Sequence, residues 1–196
     1  LNALSPALFS ELNQIVTELS KQTDSVGCVI LRGAGRCFSA GNDLKAVRSG
    51  VKAKEKFFQA KTIDLIEKLP QPTIASVHGH CLTGALELAI ACDLMITSES
   101  ANLADTHGKW GMVPGWGMSV RLPRRVGLLK AKEMMFTGMS INGLQAVEIG
   151  LSSQCVADDH LKVSTLDLAE SIVKNSWHTN FADKKLFLDN ENHFHD

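Results

Sequence analysis

The segment Ala75 to Asp93, ASVHGHCLTGALELAIACD, sets a carboxylate one turn beyond a glycine at the start of a helix. The first N–H groups of a helix have no partner within it. They stand at the positive end of its dipole, where a negative oxygen is stabilised. Gly84 lets a ligand approach that backbone closely. Glu87, three residues on, lies on the same side of the helix. Anion-binding amides and an acid or base are thereby offered together. The plainer alternative is a tight strand–helix join with a solvated glutamate.

Other candidates carry less. His107 stands in NLADTHGKWGMVPGWGMSVR, a glycine-dense stretch too irregular for one regular element, where a polar side chain can face a pocket. Its titration range suits acid–base work near neutrality. A lone histidine is also a common surface or structural residue. His78 and His80 stand one residue apart at a strand end, without a second cluster of metal ligands, so packing roles are expected and no metal site is. GAGRCFSAG lacks the Gly-Lys-Ser/Thr ending of a phosphate loop. No serine sits in G-x-S-x-G, which counts against a nucleophile-elbow hydrolase. The chain has no tyrosine, so no phenolic acid or base is available.

The elements that must position these groups alternate. Ser5-Pro6 reads as a helix N-cap with proline at the first helical position. Leu8, Leu12, Ile15 and Leu19 then form an apolar stripe. Val26 to Arg32 reads as a buried strand, followed by the small-residue loop 36–44. Residues 52–69 read as a helix with Phe58, Leu65, Ile66 and Leu69 inward, stopped by Pro70 and Pro72. Thr73 to Val77 is a strand, then a glycine- and histidine-rich turn leads into the Gly84 helix. Asp93 to Thr97 starts another strand. Leu128 to Thr137 is a helix. Ser140 is expected to cap another that ends near Gly150. Leu151 to Val156 is a strand, and Asp158 to Asn175 a last amphipathic helix. The tail after Trp177 has no clear pattern. Strands alternating with helices imply an α/β fold with mostly parallel strands. With no repeat or linker, residues 1–196 are expected to form one domain.

Composition narrows the function classes. The chain has 196 residues, 44% of them hydrophobic and 21% charged, the profile of a soluble globular domain. Lysine plus arginine is 20 against 21 acidic residues, so no strong field invites nucleic acid or an anionic membrane. No apolar run approaches the roughly 20 residues of a membrane span. The five cysteines lack metal-site spacing and mostly sit in apolar runs, which suggests buried free thiols in a reducing compartment.

Several motifs in order resemble the crotonase superfamily, the enoyl-CoA hydratases and isomerases. They are LNALSPAL, CVILRGAGRCFSAGNDL, PTIASVHGHCLTGALELAIACDL, ANLAD, GMVPGWG, SVRLPRRVG and TGMSINGLQAVEIGL, and they cover nearly the whole chain. The resemblance implies a spiral of ββα units, assembled as trimers or dimers of trimers. It implies an acyl-CoA thioester substrate, with coenzyme A carried by the substrate and no separate cofactor, and a cytoplasmic or mitochondrial-matrix location. The oxyanion hole is implied at the amides of Ala40 and Gly84, with Ser39, Gly41, Asn42, Asp43, Leu44 and Thr83 bordering the substrate. Asp43 is expected to order its loop. Two fixed N–H donors suit an enolate oxygen, at roughly 3–4 kcal/mol per donor deleted in other enzymes.

Glu87 matches the first glutamate of the hydratases. The second falls at His107, which departs from the hydratase pattern. Histidine can replace a carboxylate as acid or base, so the expectation is a hydratase- or lyase-like enzyme with Glu87 and His107 as partners. The alternatives are an isomerase or decarboxylase on the same scaffold, or a catalytically silent CoA-binding homologue. The family pattern also implies a β-hairpin before Leu1 and further helices after Asp196.

Overall fold

A computed structural model describes residues 1–43, 45, 46, 49 and 55–193. Leu44 and residues 52–54 of the expected second helix lie outside them. In chain order the elements are α1 (Pro6–Leu19), β1 (Val29–Arg32), α2 (Phe58–Glu67), β2 (Thr73–Val77), β3 (His80–Leu82), α3 (Gly84–Ala89), β4 (Leu94–Ser98) and β5 (Asn102–Ala104). A 3-10 turn at His107–Trp110 precedes α4 (Met118–Val126), α5 (Leu128–Thr137), β6 (Ser140–Asn142), α6 (Gly143–Glu148) and β7 (Gln154–Val156). A second 3-10 turn, Asp158–His160, leads into α7 (Leu161–Val173) and α8 (Trp177–His193).

Two sheets organise the chain. The larger runs β1-β2-β4-β7, all parallel. The smaller runs β3-β5-β6, with β3 parallel to β5 and β6 antiparallel. Successive strands enter different sheets before a helix returns the chain. β2-β3-α3 is one such ββα unit, and β4-β5-α4 the next. Every residue of β2 is buried, as a parallel strand covered on both faces should be. The main core gathers Phe9, Ile63, Leu86, Met95, Leu103, Met118 and Leu122 around these units.

Local chemistry explains most boundaries. The Ser5 hydroxyl accepts from the Leu8 amide at 3.2 Å and caps α1. Phe9 and Val16 are the fully buried residues of α1, and Leu8, Leu12 and Leu19 pack beside them against the core as expected, while Ile15 is exposed. Leu65 is exposed as well, and Ile63 takes its place. The histidine-rich turn holds a short strand, β3. Ser140 opens strand β6 and caps no helix. The cap is Asn142, whose side chain accepts from the Gln145 amide at 2.9 Å, while the Gln145 side chain accepts from the Asn142 amide at 2.9 Å. The patternless tail forms α8 as far as His193. Cys37, Cys81 and Cys92 are buried free thiols, and Cys28 and Cys155 half-buried ones.

Candidate active site

The loop at residues 38–42 is laid beside β3. Phe38 donates to the His78 carbonyl at 2.7 Å and Ser39 to that of His80 at 2.8 Å, and Leu82 donates to the Ser39 carbonyl at 3.3 Å. Gly41 presses the loop against the start of α3. Its φ is +93°, and a Cβ there would lie 2.4 Å from Thr83 Oγ1 and 2.6 Å from the Leu82 carbonyl oxygen. Thr83 itself has φ 53° and ψ −118°, a conformation that favours glycine. It is held there from both sides. Its amide donates to the Ala104 carbonyl at 2.8 Å, and its carbonyl accepts from Leu86 at 2.9 Å and Glu87 at 3.1 Å. Backbone in such sparsely populated regions persists only where its surroundings fix it, and it clusters at functional sites.

Two amides are left over at this junction. The N–H of Gly84 has no acceptor among the described residues, as expected for the first residue of a helix. The second amide expected from the sequence, that of Ala40, donates to the Leu1 carbonyl at 3.0 Å. The neighbouring amide without an acceptor among the described residues is that of Asn42. The parallel bridge Leu4↔Asn42 explains this, because it uses Gly41 O and Asp43 N and leaves the Asn42 N–H outside the pairing. The requirement for glycine at 84 also differs from the expected one. A Cβ there would lie 2.3 Å from Cζ3 of Trp116, so it is the indole, packed edge-on against Phe9, that approaches the backbone.

Glu87 is buried on α3 yet faces the start of α4. Its Oε1 accepts from the amides of Trp116 at 2.8 Å and Met118 at 3.1 Å. Its Oε2 is buried with no hydrogen-bond partner among the described residues. Burial pushes the carboxyl above its ordinary range; the two amide bonds and His107 pull the other way without cancelling it, and Asp105 adds to the rise. A solvated surface glutamate is therefore ruled out.

His107 completes a chain of three side chains. Its Nδ1 is 2.6 Å from Asp105 Oδ1, and the same oxygen accepts from its backbone amide at 3.1 Å. Both residues are buried. Asp105 thus orients the ring, fixes a proton on Nδ1 and turns Nε2 toward Glu87 Oε2, 3.6 Å away. The imidazole stands between two carboxylates, one at each ring nitrogen.

Ala40, Asn42, Thr83, Glu87, His107 and Trp116 border one cavity of about 230 Å³. Ser39, Gly41 and Asp43 do not line it and build its wall instead. The Ser39 hydroxyl donates to the Asn2 carbonyl at 2.7 Å and accepts from the Gly41 amide at 3.1 Å. Asp43 Oδ1 accepts from the amides of Lys45 at 2.9 Å and Ala46 at 3.3 Å, which orders the loop. Leu44 lies outside the described residues. His78 bonds the Gly35 carbonyl at 2.8 Å, away from this cavity. A larger recess of about 470 Å³ between α4 and α8, bordered by Asp93, Arg121 and Lys184, holds none of the expected site residues. Asp105, Asn42 as an amide donor and the Trp116 and Met118 amides were not singled out from the sequence. Only Asp105, two residues before His107 in ADTH, left a signal there.

The same sequence pattern and fold recur in known proteins. The enoyl-CoA hydratase/isomerase family model matches residues 1–192. A probable peroxisomal enoyl-CoA hydratase of Arabidopsis thaliana is 33% identical over 89% of this chain and 66% of its own length. A probable mitochondrial enoyl-CoA hydratase of Dictyostelium discoideum is 36% identical over 90% of this chain and 64% of its own. The chain therefore spans just under two thirds of the length of these curated relatives. The crystal structure of an enoyl-CoA hydratase from Bacillus anthracis superposes with a TM-score of 0.86 at 37% identity, covering 93% of this chain and 72% of that one. In a monofunctional enoyl-CoA isomerase from M. smegmatis the TM-score is 0.82 at 29% identity, over 97% of this chain and 83% of that one. By its matching family model, its relatives and its fold, this chain is a member of the enoyl-CoA hydratase/isomerase family.

Proposed function

We propose that the protein adds water across the double bond of a 2-enoyl-CoA thioester. The observation that carries this is the facing pair of Glu87 Oε2 and His107 Nε2 at 3.6 Å, one with no hydrogen bond and the other oriented by Asp105. The thioester oxygen is placed at the amides of Gly84 and Asn42, and the enolate charge that develops there is stabilised by those donors. Glu87, as carboxylate, takes a proton from water as its oxygen bonds to the β-carbon. His107, as imidazolium balanced by Asp105, gives a proton to the α-carbon. Transfer of the proton from Glu87 to His107 then restores both groups.

One observation favours a second reading. Among the described residues Glu87 is the only glutamate bordering the cavity, and removal of an α-proton with its return to the γ-carbon, an isomerase reaction, needs no other carboxylate. A panel of 2-enoyl-CoA, 3-enoyl-CoA and saturated or carboxylated acyl-CoA substrates decides between them. Hydration of a 2-enoyl-CoA supports the first reading. Turnover of the 3-enoyl substrate alone supports the second, and binding without turnover of any would leave a silent CoA-binding homologue.

The reaction uses coenzyme A as part of the substrate and needs no further cofactor. Exposed Leu128, Leu129 and Phe136 on α5 support a face covered by a second copy, in the homotrimer or dimer of trimers that the resemblance implies. Among the described residues no helix is long and apolar enough to cross a membrane. Free thiols at all five cysteines support a reducing compartment, the cytoplasm or a mitochondrial matrix.

A further inference from the structure

Trp116, which presents its amide to Glu87, is gripped at its carbonyl. The carbonyl of Trp116 accepts from Arg121 Nη1 at 2.8 Å, while the Trp116 amide donates to Glu87 Oε1 at 2.8 Å. Arg121 is buried, and α2 holds it from its far side. Its Nε donates to Glu67 Oε1 at 3.0 Å, and its Nη2 donates to Glu67 Oε2 at 2.7 Å and Asp64 Oδ1 at 2.6 Å. Only a planar guanidinium can hold a bidentate carboxylate and a carbonyl together in one fixed geometry. The fit beside it is tight. Gly117 has φ +109°, and a Cβ there would lie 2.1 Å from Arg121 Nη1. Neither Arg121 nor its two acidic partners borders the Glu87 cavity.

Given Glu87 as the acid/base, we propose that Arg121 is a positioning residue for the reaction: it clamps the Trp116–Gly117 turn onto α2 so that the Trp116 and Met118 amides are directed at the Glu87 carboxylate. The competing reading is an ion pair that merely ties α4 to α2. The two differ in what reaches Glu87. Its facing ionisable groups are His107, from the 3-10 turn, and Asp105, after β5. Around the guanidinium stand Asp64 and Glu67, with Lys68 and Arg124 bordering the adjoining recess. Slackening the clamp weakens two bonds to the carboxylate and leaves those charges where they are. The proton affinity of Glu87 must then rise.

Arg121→Lys retains the charge and loses the fork, and Glu67→Gln removes only the bidentate partner. The Glu87 titration is read directly by carbon-13 NMR of labelled glutamate carboxyls, the signal being assigned by its loss in Glu87→Gln. In Arg121→Lys we expect its midpoint to move up by about 0.5–1 pH unit. We expect kcat to fall about 10–100-fold with far less change in KM. Lys184→Met serves as the control, since it breaks the part-buried Lys184–Asp93 pair elsewhere and should lower Tm without moving the titration. A folded Arg121→Lys with lowered Tm and an unmoved Glu87 titration overturns the proposal. If that variant fails to fold, Glu67→Gln decides by the same measurement. A titration that moves while turnover does not also overturns it, since Arg121 would then hold the carboxylate without serving the reaction.

Discussion

His107 Nε2 lies 3.6 Å from Glu87 Oε2, on the side of the ring opposite the 2.6 Å contact between Nδ1 and Asp105. The imidazole is therefore addressed at both nitrogens, by the Asp105 carboxylate that orients it and by the Glu87 carboxylate with which the proposed reaction would exchange protons.

Asp105 should matter to rate although it does not border the cavity. Asp105→Asn keeps the shape but removes the charge that supports imidazolium and selects the Nδ1 proton. Turnover should fall by about 10²-fold or more, with acyl-CoA affinity nearly unchanged. Steady-state kinetics beside a binding isotherm checks this. Unaltered kcat would make Asp105 a packing residue.

Replacing His107 by the glutamate of the hydratase pattern should lower activity on the best substrate. His107→Glu would set a third carboxylate beside Glu87 and Asp105 in a buried space, and like charges there disfavour one another's ionised forms. A rise in crotonyl-CoA hydration in this variant would mean that His107 only fills a lapsed acid position.

The two glycines of the junction should not tolerate a methyl group. Gly41→Ala would force a side chain to φ +93° and against Thr83, and Gly84→Ala would drive a Cβ into the Trp116 ring. Gly41→Ala should cost about 2 kcal/mol or more. Gly84→Ala should lose activity out of proportion to stability, because Trp116 also carries an amide bonded to Glu87. Denaturant unfolding and kinetics on the same samples separate the two effects.

Burial raises the Glu87 carboxyl above its unfolded value, which makes a stability prediction with a definite sign. Between the two values the folded chain binds more protons than the unfolded one. Stability is thus fully present below the ordinary carboxylate range and is lost as pH rises through the folded value. Glu87→Gln removes that loss. Its Tm should exceed the native Tm at neutral pH, and the gain should shrink as pH falls toward the ordinary carboxylate range. A Tm difference independent of pH would contradict the burial account.

Much of this was legible in the residues. The strand Thr73–Val77, the Ser5 cap and the Gly84–Glu87 spacing depend on near neighbours, and the structure places them as their types dictate. What escaped depends on distant partners. The satisfaction of the Ala40 amide by Leu1 requires the start of the chain to lie beside the loop, which no local pattern encodes. The amides that reach Glu87 come from residues 116 and 118, across the fold. Asp105 stood in plain view, but an aspartate two residues before a histidine acquires meaning only when the turn folds its side chain back onto the ring.

The role of Glu87 is tested most directly by the turnover of Glu87→Gln on the best enoyl-CoA, measured beside its affinity for a saturated acyl-CoA. We expect turnover to fall by about 10²–10⁴ while affinity is retained. The introduced amide oxygen can still accept from Trp116 and Met118, and the amides of Gly84 and Asn42 stay in place. Native turnover in a variant that still binds acyl-CoA would contradict the assignment of Glu87 as the acid/base of this site.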